Sequence, residues 1–288
     1  MAPTVEIILP THRRPHTIGC AIKSVLLQTE PNFRLHVVGD GCDDATEAVV
    51  RSFQDERVRF HRFAKGKGLG YANRNRVLRE TSAAHIAYVT DDDLWFPDHL
   101  ERGLRELRKH GCGLVSFRSC PVRFPGTIDP NFFAFDWHAP VISGFLRNWF
   151  TGALTCVHHR RVFDQVGYWD ERLERFGDRE FWQRVQRAGI PCAHLDEITV
   201  LRFYALQWDH HYGSCSEPPQ KHFLEKLQSP EWCRSVRQAT APGRRSLAVR
   251  RRQWRDFLLF GLRSGPKFAQ FVYHRLTTTA GDGRLTVR

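Results

Sequence analysis

Residues 85–95 read His85-Ile86-Ala87-Tyr88-Val89-Thr90-Asp91-Asp92-Asp93-Leu94-Trp95. The apolar, aromatic-rich start predicts a buried strand over residues 85–89. Three adjacent carboxylates follow it. At the end of a buried strand they repel one another and lose hydration, unless a cation sits among them. An acidic cap for the next helix accounts for one Asp, not three. Hard divalent ions take oxygen ligands, and Mg²⁺ commonly bridges one or two carboxylates to substrate phosphates. The stretch therefore predicts a metal–phosphate site at a strand end.

On either side of it the chain alternates. Downstream, residues 97–110 have helical spacing and residues 113–117 read as another strand. Upstream come a helix over 70–80, a strand over 58–63, a helix with an acidic first turn over 43–53, a strand over 35–38, a helix over 17–28 and a strand over 5–9. This repetition predicts an α/β fold with a doubly wound, mostly parallel central sheet flanked by helices. Ligands of such sheets bind beyond the carboxyl ends of the strands. The polar residues stand there: Pro10, Thr11, His12 and Arg13 after the first strand, Asp40, Asp43 and Asp44 after the second, and the three Asp after the fourth. Residues 120–149, rich in Pro, Phe and Trp, read as irregular, and 161–166 and 178–189 as helices.

The 288 residues carry 43 Lys plus Arg against 31 Asp plus Glu, a net charge of +12. Residues 221–288 hold a surplus of +11, leaving residues 1–220 near neutral at +1. That asymmetry argues against a nucleic-acid binder that is basic all round. It predicts a catalytic domain over 1–215 and a basic, helical C-terminal extension over 216–288. Eight cysteines, no two closer than eight positions, exclude a zinc ribbon or a disulfide framework and fit a reducing cytosol. No apolar run approaches the roughly 18 residues of a membrane span, and the first ten residues do not read as a secretory signal.

Other constellations are weaker alone. Asp40 reads either as a turn former before Gly41 or as an acceptor for a nucleobase or ribose. Gly66-Lys67-Gly68-Leu69-Gly70, followed by Asn73, Arg74 and Asn75, is neither a P-loop nor a dinucleotide fingerprint, but can bring a flexible loop and a cation near phosphates. Asp178-Arg179-Glu180 opens an amphipathic helix, where a carboxylate either caps the helix or serves as general base. His210 and His211 are candidate metal or phosphate contacts.

Taken together and in order, these motifs resemble family 2 glycosyltransferases of the GT-A type. The opening Pro10-Thr11-His12-Arg13-Arg14, the turn Val38-Gly39-Asp40-Gly41-Cys42-Asp43-Asp44, the segment Ala72-Asn73-Arg74-Asn75, the acidic motif running from Thr90 through Pro97 and Asp98 to Leu100, and Gly167-Tyr168-Trp169-Asp170-Glu171 with Gly177-Asp178-Arg179-Glu180-Phe181-Trp182 each match a family motif. The match spans about residues 4–212. Thr90 and Gly177 stand where the family often has acidic residues.

The resemblance implies a Rossmann-like GT-A sheet and a nucleoside-diphosphate sugar as donor, with UDP favoured. It implies that Pro10, Thr11, Arg13 and Asp40 line the nucleoside pocket, with Arg74 near the diphosphate and Asp91 toward the ribose or sugar. Asp92 would be the main ligand of a divalent metal (Mn²⁺ or Mg²⁺), Asp93 would support it, and His210 is a further candidate ligand. Asp178 would be the catalytic base, with Glu180 as fallback, in an inverting single displacement.

Residues 244–276 place Arg244, Arg245, Arg250, Arg251, Arg252 and Arg255 beside Trp254, Phe257, Leu258 and Leu262 at helical spacing. They read as helices packed on the body or as an interfacial pair lying on anionic lipid, which would put a cytoplasmic protein on the inner face of the membrane. Two other functions remain open at this level. A nucleotidyltransferase is expected to have a Gly-rich loop after the first strand, where this chain has Pro10-Thr11-His12-Arg13-Arg14-Pro15. A non-enzymatic nucleic-acid or anionic-surface binder leaves the three Asp unexplained.

Overall fold

The computed structural model describes residues 3–123, 126–128, 152–203 and 217–240. Strands β1 (Val5–Thr11), β2 (Phe33–Asp40), β3 (Val58–Phe63) and β4 (His85–Tyr88) pair in parallel in the order β3-β2-β1-β4. Their links are helices α1 (Ile18–Leu26), α2 (Asp44–Arg51) and α3 (Tyr71–Glu80). The alternation along β1 explains the layering. Ile7 and Leu9 face the side covered by Ile18, Ile22 and Val25 of α1. Ile8 faces the side where Val77 and Leu78 of α3 pack. All eight of these side chains are essentially dry, each contributing about 2 kcal/mol of transfer free energy. This half matches the sequence reading, strand for strand.

The second half is mixed. After β4 the chain turns through the three Asp into a two-residue strand, β5 (Leu94–Trp95), then α4 (His99–His110), β6 (Leu114–Arg123) and the short β7 (Thr127–Ile128). A 3₁₀ turn (Ala153–Thr155) leads into β8 (Cys156–His159), followed by α5 (Val162–Val166), α6 (Gly177–Arg187) and β9 (Cys192–Arg202). The sheet continues β4-β8-β6-β9-β5, with β8 antiparallel to both β4 and β6 and β5 antiparallel to β9. The strand predicted over residues 113–117 therefore does not lie beside β4; β8 separates them. Four residues are too few to show a period, and β9 carries Asp196 and Glu197 in its middle, which masks its strand character.

Helices α7 (Pro219–Leu227) and α8 (Pro230–Thr240) close a third core, in which Phe223, Leu224, Leu227 and Val236 meet Leu94, Phe96, Leu201 and Phe203. Arg237 of α8 donates through both terminal nitrogens to Asp98 and through Nε to the Ile198 carbonyl at 3.0 Å. The described residues belong to one compact unit. Among the described residues no helix is long and apolar enough to cross a membrane. The basic stretch 244–276, the aromatic stretch 132–149 and His210 with His211 lie outside the described residues.

Candidate active site

Three parallel strands end side by side in the order β2, β1, β4, and their last residues deliver Asp40, Thr11 and the acidic turn to one edge of the sheet. Asp40, the final residue of β2, is 4% exposed. Its Oδ1 accepts from the Gly66 amide at 2.7 Å and from Asn73 Nδ2 at 2.6 Å, and its Oδ2 pairs with Lys65 Nζ at 2.7 Å. His12 Nδ1 donates to the Asp40 carbonyl at 2.7 Å. The glycine loop folds over this carboxylate. Gly70 caps α3 with φ +74, and a Cβ there would lie 2.5 Å from the Asp40 carboxyl, so only glycine lets the loop close.

The acidic turn is compensated less. Burial pushes the carboxyls of Asp91 and Asp92 upward, and for Asp92 the neighbouring charges of Asp93 and Asp91 add to it, against Arg14 and Arg202. Asp93 is raised to about 6 by burial, although Arg202, Thr90 and the Phe203 amide oppose it. Asp93 Oδ1 accepts from the Phe203 amide at 2.6 Å and Oδ2 from Thr90 Oγ1, so this side chain ties the turn to the end of β9. Gln220 of α7 donates to the Asp92 carbonyl at 3.0 Å and fixes the turn from the other side. Among the described residues no three His, Cys, Asp or Glu side chains converge on a point that could hold a metal ion. The donor set is nonetheless all carboxylate, short of positive charge, and at a strand end. It suits a hard divalent cation that completes its shell with diphosphate oxygens and water.

Arg74, in the first turn of α3, lies within electrostatic reach of Asp40 and Asp178. Its Nη2 donates to the Leu69 carbonyl at 2.8 Å, its guanidinium packs over the Tyr71 ring at 4.9 Å, and its buried Nε has no hydrogen-bond partner. Burial lowers its pKa, while the charges of Tyr71, Asp178 and Asp40 act in the opposite sense. One cation thus feels both the strand-end acid and the helix-start acid.

Asp178 lies in the first turn of α6, half-buried. Glu180 is committed elsewhere: Arg184 donates to it from Nε at 2.6 Å and from Nη2 at 2.8 Å. Gly177 replaces the larger residue expected before the base because the ring of Tyr71 occupies that space. A Cβ at Gly177 would lie 2.5 Å from the Tyr71 ring. Among the described residues two that are not glycine have left-handed backbone, Arg13 (φ 52) and Phe176 (φ 59), one in the predicted nucleoside loop and one before the predicted base. Such strain costs of order 1–3 kcal/mol and persists only where surroundings enforce it.

Of the residues singled out by sequence, Pro10, Thr11, Arg13, Asp40, Arg74, Asp91, Asp92, Asp93 and Asp178 all sit on strand-end loops or helix starts at this edge. Reading the sequence did not find Lys65, Tyr71, Phe203 or Gln220. Lys65 and Tyr71 flank the glycine loop, which is the one local signal available. Gln220 is 128 residues from Asp92 and carries none.

Comparison with known proteins agrees with this geometry. The sequence model of Glycosyl transferase family 2 matches residues 6–170. The Escherichia coli UDP-Glc:alpha-D-GlcNAc-diphosphoundecaprenol beta-1,3-glucosyltransferase WfgD is 36% identical over 111 residues, covering 38% of this chain and 44% of its own length. The match thus spans less than half of that relative. S. aureus TarS 1–349 in complex with UDP-GlcNAc has a TM-score of 0.58 at 16% identity, over 84% of this chain and 71% of that one. The mannosyltransferase PcManGT from Pyrobaculum calidifontis, in complex with GDP-Man and Mn²⁺, has a TM-score of 0.56 at 15% identity, over 96% of this chain and 85% of its own. At these identities the two structures show a shared GT-A fold. With more than half of its residues matched by the family model, and the family's motifs gathered at one sheet edge, the chain belongs to glycosyl transferase family 2.

Proposed function

We propose that the protein is an inverting transferase that moves a sugar from a nucleoside-diphosphate sugar to an acceptor hydroxyl. The observation that carries this reading is Arg74, an arginine with a buried, partnerless Nε, lying within electrostatic reach of Asp40 on one side and Asp178 on the other. An anion held there sits between the nucleoside-side acid and an acid placed to accept a proton.

The chain's residues divide the work. Asp40 and the glycine loop fix the floor of the nucleoside end, with Pro10, Thr11 and Arg13 beside it. Arg74 binds the diphosphate. Asp178 accepts the proton of the acceptor hydroxyl as that oxygen forms its bond to the anomeric carbon, and the bond from that carbon to the diphosphate oxygen breaks on the opposite face. Holding the two reactants in line supplies much of the acceleration. A divalent cation held by Asp92, with Asp91 beside it, would neutralise charge growing on the departing diphosphate. Asp93 orients the turn.

UDP is the favoured nucleotide, since WfgD is named for UDP-Glc. The acceptor class favoured by the same relative's name is a carrier-linked glycan, which fits peripheral attachment to the cytoplasmic face of the membrane through residues 244–276. A screen of nucleotide sugars with Mn²⁺, read as released nucleoside diphosphate, identifies the donor. Full activity in both Asp178→Asn and Asp92→Ala would overturn the reading. Thermal stabilisation by UDP plus Mn²⁺ is expected, and equal stabilisation by polynucleotide would favour the anionic-surface binder instead.

A further inference from the structure

The proposed base and the proposed diphosphate anchor lie on different helices, more than 100 residues apart in sequence, and one side chain contacts the anchor and the backbone just before the base. The Gly177 amide, one residue before Asp178, donates to Tyr71 Oη at 2.9 Å. The ring below that oxygen leaves no room for a Cβ on Gly177, stacks on Trp169 at 5.9 Å with a 16° interplanar angle, and seats the Arg74 guanidinium at 4.9 Å. A second bond runs alongside, from the Leu69 amide to the Glu174 carbonyl at 3.1 Å. Between the two tied residues, Glu174 and Gly177, the chain passes through Phe176, which is left-handed at φ 59 with its side chain 71% exposed. An exposed phenylalanine gains nothing for itself from that backbone. The geometry it serves is the entry into α6, which sets where Asp178 points.

We propose that Tyr71 is a positioning residue, locking the segment that carries Asp178 in register with Arg74 so that acceptor activation and diphosphate binding share one rigid seat. This rests on Asp178 being the base. The hydroxyl holds the α6 entry and the ring holds Arg74, so the two functions separate by substitution. A residue that only filled the core would not separate them.

Tyr71→Phe keeps the ring and removes only the oxygen. With the donor that turns over fastest in the screen above, its turnover should fall about 10- to 100-fold, the scale of a misplaced reacting group. Its Kd for UDP with Mn²⁺ should stay within about twofold of wild type. Tyr71→Leu also removes the seat of Arg74, and should weaken UDP binding by about tenfold as well. Gly177→Ala probes the same contact from the other side: it should be impaired alone, yet add little to Tyr71→Leu, because the clashing ring is gone. Circular dichroism of each variant confirms folding. Wild-type turnover in Tyr71→Phe, or fully additive losses in the double variant, would overturn the lock. If Tyr71→Phe is wild-type while Asp178→Asn is dead, only the lock fails; if Asp178→Asn is fully active, the base assignment fails with it.

Discussion

Asp40 and the acidic turn stand at the ends of two strands that flank β1, and the fold treats them oppositely. Asp40 is surrounded by donors from its own chain: an amide, an asparagine and a lysine within 2.7 Å. Asp92 and Asp93 are buried and Asp91 half-buried, with Arg14 and Arg202 as the main opposing charges, and their carboxyls are pushed upward. The first arrangement is complete before any ligand arrives and gives a rigid floor. The second stays short of positive charge, which is why it is the place proposed for a cation and the phosphates it would carry.

The sharpest way to break this contrast is Asp92→Asn. Turnover should fall by about 100-fold or more, as expected when a charge-stabilising group is lost. The metal-free fold should nevertheless become more stable, by about 1–2 kcal/mol at neutral pH, because a carboxylate held against burial and like charge is removed. Urea unfolding in EDTA measures this, and a loss of stability would mean the turn is already balanced. The sign gives a second reading. Carboxyls raised in the folded state cost stability while ionised and stop doing so once they protonate. The gain over wild type should therefore shrink as pH falls below the raised folded value of Asp92 toward the ordinary 3.8.

Asp40→Asn should do the reverse on stability. It keeps the shape but loses the Lys65 pair and turns an acceptor toward donor character among existing donors. A cost of about 2 kcal/mol is expected, with UDP binding weakened about tenfold as the glycine loop loosens. Calorimetry and UDP titration check both, and an unchanged melting point would show that the loop is held without it.

Asp98 is the intermediate case, five positions beyond Asp93. Burial pushes its carboxyl up, but hydrogen bonds from Arg237 and Arg102 outweigh that and hold it below the usual 3.8. A depressed carboxylate stabilises the fold above its unfolded value, and that contribution disappears as pH falls below 3.8 through the folded value. Arg237→Met should cost about 1–2 kcal/mol at pH 7 and much less in strong acid, with UDP binding unchanged, since Arg237 braces α8 against α4 away from the nucleotide edge. A changed UDP affinity would show that the Arg237 brace carries through the third core to the acidic turn, which Phe203 and Gln220 already contact.

How much of this was legible depended on range. The parallel half could be read because each strand and each helix announces itself within about ten residues, by period and by the polar loop that ends it. The same locality exposed Asp40, Arg74, the three Asp and Asp178. Strand β8 could not be read that way: four residues, buried because two other strands flank them, show no period of their own. Nor could Glu180 be told from Asp178 by spacing, since the difference is that Arg184 grips one of them.

The amino-acid sequence alone thus determined the α/β class, the family and the acids proposed for the chemistry, because those are properties of short segments. The tertiary structure decided which acids are already paired, Asp40 with Lys65 and Glu180 with Arg184, and why Gly177 precedes Asp178. Those outcomes depend on partners brought together across 106 residues from Tyr71 to Gly177, 110 from Asp93 to Phe203 and 128 from Asp92 to Gln220. Burial, charge compensation and steric exclusion come into being only when such distant segments meet.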